Sequence, residues 1–379
     1  MSQRCIKNDQ IYKLISIIFT KHIIMPKHSL SMDVIRSFAG FGVVALHVTD
    51  YFINYPLLFG GFSWWLANGI NSLSRIAVPL FIMLSGYLLL DNSKKYSLND
   101  ILKKSRRLFI VLVVWTLIYF AWRIYWWHEV KTIPVMILDL FNGFMHLYFL
   151  HLIIGLYLLT PLIKKILAKS MVRNKIYLAI LASIVSAGIT IANYLLKERG
   201  FALTGFAYSF LFVGYYIFGS VAKNVRINKR GLTFLLSVFI ILALATAYLS
   251  YWNLGQMHLG NNVLWSKNLG QYFYDPLSVN VILMSFIGFL LLKKVGETNF
   301  LSSSKYLAKL FKMLAGLIFG IYLIHIIVLD LTNTLPHFRE DVVVSPILLF
   351  ITIKIFLVFA ASALIIYFLK KVPAIKNLF

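Results

Sequence analysis

Ten long apolar stretches constrain the fold of this chain more than any other feature of its sequence. A helix that crosses a hydrocarbon core of about 30 Å needs about 20 apolar residues, at a rise of about 1.5 Å per residue. Hydrophobic residues make up 60% of the 379 residues and charged residues 13%, whereas soluble proteins average about 45–50% and about 25%. The sequence therefore predicts an all-α, polytopic integral membrane bundle. The predicted spans are residues 34–53, 71–90, 108–126, 145–163, 175–195, 205–221, 231–252, 276–292, 313–331 and 347–369.

The basic residues are distributed unevenly between alternate loops. The chain has 37 Lys and Arg residues against 13 Asp and Glu residues, a formal net charge of +24. With boundary residues counted in their loops, the two termini and the loops after even-numbered spans carry 28 of them, and the other loops carry six. Basic loops stay in the cytoplasm, so both termini are predicted to be cytoplasmic. The excess charge is mainly a topology signal, with attraction to anionic lipids as a secondary effect.

The spans divide the chain into three parts. Residues 1–33 are predicted to form an N-terminal cytoplasmic or interfacial segment, because Lys13 and Lys21 interrupt its short apolar run. Residues 34–371 form the ten-helix membrane domain, and residues 372–379 form a cytoplasmic tail. The single cysteine, Cys5, excludes an intramolecular disulfide and a cysteine-based metal site. The sequence also has no HExxH pair, so no metal is expected.

Three basic residues remain within the predicted spans once boundary residues are counted in their loops: Arg36, Arg75 and Lys354. A charge at membrane depth is costly and is a functional candidate, although Lys354 lies near the outer end of its span and can extend to the interface. His47 follows Arg36 by eleven residues, which brings both side chains to within about 20° of one helix face. They are about 16 Å apart along the axis, so they suit two ends of one elongated ligand.

The segment from Asp33 to His47, DVIRSFAGFGVVALH, resembles the first transmembrane helix of acyltransferase family 3 membrane proteins. In that family ten residues separate a basic residue from a histidine. Asn71–Leu90, His146–Pro161 and, more weakly, Gly320–His325 are similar to the same family. The stretch Asn71–Leu90 looks most like bacterial enzymes that O-acetylate surface polysaccharides such as enterobacterial common antigen.

This resemblance implies a multi-pass O-acyltransferase of the bacterial plasma membrane. Such an enzyme usually moves acetyl from cytoplasmic acetyl-CoA to a sugar hydroxyl of a surface polysaccharide or its lipid-linked precursor. The expected partners are therefore acetyl-CoA, that acceptor and the lipid bilayer, with no nucleic acid.

Four polar side chains are predicted to lie at one depth in the membrane, about 18 to 22 Å from the inner ends of their spans. They are His47, Arg75, His151 and His325. At this depth a neutral His47 imidazole is the candidate general base, or alternatively a covalent acyl carrier. Arg75 suits the oxyanion or the thioester carbonyl because its guanidinium carries a fixed charge and forked donors. For His151 and His325, a structural role as interhelical hydrogen-bonding residues is the favoured interpretation.

Further candidates lie on either side of this layer. Arg36 is predicted to bind the CoA arm or to fix its path beneath His47. Asp50, three residues after His47, lies close to the same helix face and is a candidate to orient the imidazole. A basic cluster before span three suits the phosphates of CoA, but a cytoplasmic topology signal explains it equally well. That cluster is Lys103, Lys104, Arg106 and Arg107.

The alternative reading is a transporter or flippase, in which the polar layer is a substrate or proton pathway. The absence of inverted halves and the scarcity of acidic residues in the spans weigh against it. A purely structural role would leave the pairing of Arg36 with His47 unexplained.

Overall fold

The computed structural model describes residues 29–90, 97–129, 132, 145–196, 205–258, 271–336, 338, 347–373 and 378. Regular secondary structure in these ranges is entirely helical. The predicted segment 1–33 and tail 372–379 lie mostly outside them. The described ranges contain twelve α-helices, in chain order: α1 Leu30–Asn54, α2 Phe62–Ser74, α3 Ala77–Leu89, α4 Leu98–Trp126, α5 Tyr148–Leu167, α6 Val172–Leu196, α7 Val213–Val221, α8 Lys229–His258, α9 Val279–Gly296, α10 Asn299–Ser303, α11 Lys305–Thr332 and α12 Ile347–Leu369.

Within the described ranges, ten helical segments are long and apolar enough to cross a membrane, which confirms the predicted number of spans. The second combines α2 with α3, and the sixth combines α7 with a preceding 3-10 segment, Gly205–Phe212. Span three begins at Leu98, ten residues before its predicted start. An even number of spans places the two ends of this bundle on one side. We call the side on which α1 begins the inner side and the opposite one the outer side.

Helix α1 lies at the centre of the bundle, where it packs against α2, α3, α9, α11 and α12. In their most apolar windows α1 and α11 are each 67% buried inside the protein, whereas α8 is only 17% buried. The apolar faces of peripheral helices such as α8 are therefore available to lipid. Polar side chains toward the outer halves of α1 and α11, such as Thr49 and His325, are instead buried in the protein interior, away from the hydrocarbon.

Helices α3 and α7 approach each other backbone to backbone. A Cβ atom on Gly86 would overlap the backbone carbonyl of Tyr216, and a Cβ atom on Gly219 would overlap the carbonyl of Met83. Small residues at such contacts let membrane helices pack closely without a hydrophobic driving force. This contact holds α3 in place beside α1.

The second span is broken between Ser74 and Ala77, at the position of Arg75. Pro79 has no backbone N–H, so it cannot donate to the Arg75 carbonyl as the next helical turn would require. The Arg75 N–H still bonds the Asn71 carbonyl at 3.1 Å, which makes Arg75 the C-terminal cap of α2. The negative end of the helix dipole favours a cation there.

Lys354, the third basic residue within the predicted spans, is enclosed by protein rather than by lipid. Its side chain is 2% exposed, and its ammonium group donates to the Phe338 carbonyl at 3.0 Å. The charge is therefore directed toward the outer loop that follows α11 and is stabilised there by hydrogen bonding.

Candidate active site

Three imidazole rings meet at the centre of the bundle. His47 lies on α1, His325 on α11, and His146 in the 3-10 turn Met145–Leu147 that precedes α5. The ring centroids are 5.1 Å apart for His47 and His325, 5.0 Å for His146 and His325, and 6.2 Å for His47 and His146. His146 and His325 are buried, whereas His47 is only half-buried. We call these three residues the histidine cluster, and His47 is its accessible member.

The nitrogens of this cluster are only partly satisfied. Nδ1 of His325 lies 2.7 Å from the Tyr322 carbonyl oxygen, and because a carbonyl only accepts, Nδ1 carries the hydrogen. Nε2 of His325 and both ring nitrogens of His146 have no hydrogen-bond partner among the described residues. An unpaired buried polar atom costs about 1–3 kcal/mol. Three such atoms in one place indicate a site for a polar group.

A hydrogen-bonded network fixes Arg75 relative to α1. Its Nε donates to Oδ1 of Asn71 at 2.7 Å, and its guanidinium lies 4.3 Å from the centre of the Tyr274 ring. The buried Asn71 amide in turn donates to the Leu46 carbonyl at 3.2 Å and to the Thr49 hydroxyl at 3.0 Å. Leu46 and Thr49 flank His47 on α1, so this network holds Arg75 at a fixed position beside the imidazole.

Arg75 also lies at the electrostatic centre of the outer half of the site. It is close enough to interact with His47, and it attracts the carboxylates of Asp50 and Asp275. Asp275 accepts a hydrogen bond from the Leu277 N–H at 2.8 Å. A set of half-buried polar side chains surrounds these charges, and we call it the outer polar cluster: Asp50, Arg75, Tyr148, Tyr194, Tyr208 and Asp275.

A cavity of about 580 Å³ lies between α1, α3, α4, α5 and α11 on the inner side of the histidine cluster. Its walls are mainly apolar, and three cations line its inner end: Arg36, Lys104 and Arg107. The rings of Phe81, Phe149 and Tyr322 line its other end, with centroids 5.6 Å apart for Phe81 and Phe149 and 5.4 Å for Phe149 and Tyr322. The Tyr322 ring lies 5.5 Å from that of His146. We call these three rings the aromatic layer, and they lie at the end of the cavity nearest the histidine cluster.

The predicted phosphate-binding residues lie within α4, not before it. This helix begins at Leu98, where the side chains of Ser97 and Asp100 form a reciprocal capping box. Three-residue spacing puts Lys104 and Arg107 on one helix face, and both line the cavity. The other two basic residues, Lys103 and Arg106, do not line it. Both are exposed, as is Arg107, whereas Lys104 is half-buried.

The structure brings three members of the predicted layer together and excludes the fourth. His47, Arg75 and His325 converge, whereas the ring of His151 packs against Phe206 at 5.0 Å. One residue missed by the sequence analysis is His146, which begins the family-like stretch that also contains His151. Five residues correspond to about 500° of helical rotation, so these two histidines face different neighbours.

The electrostatic partner of Asp50 in the structure is Arg75. Asp275 is a second residue that sequence reasoning missed, because an acidic residue at the start of a span resembles an ordinary boundary residue. Despite the three imidazoles, no group of three or more His, Cys, Asp or Glu side chains among the described residues is arranged to hold a metal ion.

The fold and this site define a polytopic membrane protein with ionisable groups buried around a central helix. A family model described as an acyltransferase domain matches residues 29–367, which is most of the chain. The protein therefore belongs to acyltransferase family 3 and is a membrane acyltransferase, which confirms the resemblance seen in the sequence. Searches of curated proteins and of solved structures gave no match.

Proposed function

We propose that the protein transfers acetyl from cytoplasmic acetyl-CoA to a sugar hydroxyl of a surface polysaccharide or its lipid-linked precursor, at the outer side of a bacterial plasma membrane. The observation that carries this proposal is the order of features along α1. A cavity with cations at its inner end is followed by the histidine cluster and then by the outer polar cluster. The excess of basic residues in the inner loops supports a cytoplasmic inner side.

The donor binds in the inner cavity. Arg36, Lys104 and Arg107 suit the phosphates of CoA, because guanidinium and ammonium groups form strong charge-assisted hydrogen bonds with phosphate oxygens. The apolar walls suit the long arm that carries the thioester. The aromatic layer must open, or admit the arm between its rings, for the acetyl group to reach His47. Of the four cations proposed from the sequence, Lys103 and Arg106 contribute only long-range attraction.

The chemistry follows from the positions of His47 and Arg75, which lie close together on the outer side of the cavity. The neutral imidazole of His47 takes the proton of the acceptor hydroxyl as its oxygen attacks the thioester carbonyl carbon. The oxyanion that forms is stabilised by Arg75, which its hydrogen bond to Asn71 has already positioned. Collapse of this intermediate breaks the C–S bond, and His47 returns the proton to the CoA thiolate. Asp50 balances the charge of Arg75 when the site is empty.

The acceptor binds on the outer side of His47. Two carboxylates in the outer polar cluster accept hydrogen bonds from hydroxyl groups, and its tyrosines supply rings and hydroxyls for a sugar. Because Asp50 and Asp275 together outweigh the charge of Arg75, this cluster favours a neutral sugar over an anionic one. The half-buried state of these side chains is consistent with an open binding surface.

The test is acetyl transfer by the purified protein in proteoliposomes. Radiolabelled acetyl-CoA is supplied on the inner side, with lipid-linked oligosaccharides from the source cells as acceptor, and CoA thiol and labelled product are measured. His47→Ala is expected to lower the rate by about 10²–10⁴, the usual contribution of a positioned acid-base group.

His151→Ala serves as the matched control, because His151 is also buried but contacts Phe206 rather than the cluster. Wild-type transfer by a stably inserted His47→Ala protein would contradict the mechanism. Movement of oligosaccharide across the bilayer without any acetylated product would instead indicate a transporter.

A further inference from the structure

In the histidine cluster, the His325 ring is anchored to its own helix and lies beside the His47 ring, with centroids 5.1 Å apart. We propose that His325 is a positioning residue, which fixes the tautomer and orientation of the His47 imidazole. The proposal rests on the proposed function, in which His47 is the general base. It is carried by the contact of the two rings and by the hydrogen bond that anchors His325.

The first step is the anchoring of His325 by its own helix. Its Nδ1 lies 2.7 Å from the carbonyl oxygen of Tyr322, one turn earlier on α11. A backbone carbonyl cannot donate, so Nδ1 must be the protonated nitrogen and Nε2 must carry the lone pair. His325 is 0% exposed, so bulk solvent does not reach either of its ring nitrogens. The main chain of α11 therefore decides which tautomer His325 adopts.

The second step is the relation of His325 to His47. Two imidazoles joined by an N–H···N bond of about 3 Å have centroids about 5 Å apart, and the observed separation is 5.1 Å. Nε2 of His325 has no partner in this structure, so the bond is not yet formed. The terminal torsion of a histidine is broad, and a rotation of the half-buried His47 ring closes the contact. Catalytic hydrogen bonds often tighten only when substrate binds.

The third step is the effect on His47. Once His47 donates one N–H to His325, its other nitrogen carries the lone pair and is the base. In this arrangement the Tyr322 carbonyl orients His325, and His325 orients His47 toward the acceptor hydroxyl. His325 therefore fixes the tautomer and orientation of the base, as a buried carboxylate does beside a catalytic histidine. In this case the orienting group is neutral, so no further charge is buried in the membrane interior.

Two other neighbours are less suited to this role. The ring of His146 lies 6.2 Å from that of His47, farther than the 5.1 Å of His325. It is therefore less well placed to bond the His47 imidazole. Asp50 is attracted to Arg75, which commits its carboxylate elsewhere.

The experiment uses two conservative variants that replace different nitrogens of His325. In His325→Gln the side-chain amide reaches the position of Nε2 and offers an acceptor oxygen to His47. In His325→Asn the amide reaches only the position of Nδ1 and keeps the bond to the Tyr322 carbonyl. We expect kcat to fall by about 10- to 100-fold in His325→Leu and His325→Asn, to be largely retained in His325→Gln, and the KM for acetyl-CoA to be unchanged in all three.

A double-mutant cycle separates positioning from folding. If His325 acts through His47, then His325→Leu causes no further loss in a His47→Ala background. His151→Leu, which removes another buried histidine, should leave kcat near the wild-type value. If His325→Leu does not insert stably, the comparison of kcat between His325→Gln and His325→Asn still tests whether His325 positions His47.

Three results would overturn the proposal. The first is a kcat in His325→Asn at least as high as in His325→Gln, and the second is an equal loss of kcat on His325→Leu in the wild-type and His47→Ala backgrounds. The third is a wild-type kcat in all His325 variants. Failure of the proposed function looks different, because the unmodified protein would then form no acetylated product. Acetyl transfer that depends on His47 but is indifferent to His325 would reject this inference alone.

Discussion

Arg36 and Arg75 lie on opposite sides of the histidine cluster and are held in different ways. The Arg36 side chain is 32% exposed, and its contact with Asp33 is a long one at 4.0 Å. Arg75 is bonded to Asn71 at 2.7 Å and packed over the Tyr274 ring at 4.3 Å. The first arginine is free to follow a ligand that arrives and leaves, whereas the second is pre-organised, which is what stabilisation of a transient charge requires.

The surroundings of the two arginines repeat this difference. The inner side is an apolar cavity with cations at its end. The outer side is a hydrogen-bonded network in which the Tyr274 hydroxyl donates to Asn68 at 2.6 Å and the Tyr194 hydroxyl to Asp275 at 3.3 Å. In the proposed function, the inner half supplies affinity for the phosphates of the donor, and the outer half fixes the geometry of the reacting groups. Substitutions in the two halves should therefore affect KM and kcat differently.

The largest expected effect is all-or-none labelling, which tests whether the two sides are correctly assigned. In a Cys5→Ser background, cysteines are placed at Phe62 and Met171, which are 75% and 73% exposed at the outer and inner helix ends. Phe62→Cys should react with an impermeant maleimide in intact cells, and Met171→Cys only after permeabilisation. The reversed pattern would place the cavity outside and remove its access to cytoplasmic acetyl-CoA.

The next effect concerns the pre-organised arginine. Arg75→Lys keeps the charge but loses the planar fork that bonds Asn71 and stacks on Tyr274, so kcat should fall by about 10²–10³ with little change in the KM for acetyl-CoA. Steady-state kinetics in proteoliposomes measure both constants. Arg36→Gln is the matched comparison and should raise KM while leaving kcat close to wild type. Wild-type kcat in Arg75→Lys would show that the fixed geometry is unnecessary.

The smallest expected effect is a change in the KM for acetyl-CoA, caused by substitutions at the cationic inner end of the cavity. Replacing Lys104 and Arg107 together with Gln should raise the KM for acetyl-CoA about tenfold or more, since hydrogen bonds to charged groups contribute about 1.5–3 kcal/mol and about 1.4 kcal/mol is a factor of ten. Replacing Lys103 and Arg106 in the same way changes net charge equally, but these two residues do not line the cavity, so the KM should change much less.

Equal KM values in these two double variants would mean that none of the four basic residues binds the donor and that the cluster only sets the topology of the chain. Added salt sharpens the test, because at 0.1 M it largely screens interactions between exposed charges that are more than about 10 Å apart. The KM of the wild-type protein should rise with ionic strength, and that of the Lys104/Arg107 variant should rise less.

Two features of this protein were settled by local sequence. Hydropathy gave the ten spans because each helix must satisfy its own backbone hydrogen bonds within the bilayer. The spacing of Arg36 and His47 put both on one face of α1 because the helical repeat is fixed. The family resemblance was also read from short contiguous stretches, four in number, and the match over residues 29–367 confirms the family.

The lateral arrangement of the helices was decided only by the tertiary structure. Depth along a helix axis placed His151 at the level of His47, but packing directs its ring to Phe206 and brings His146 and His325 to His47 instead. Depth is set by counting residues from a span end, whereas neighbours across a bundle depend on which helices pack together and at what rotation. Contacts between residues far apart in the chain, such as His47 with His325, carry no local signal.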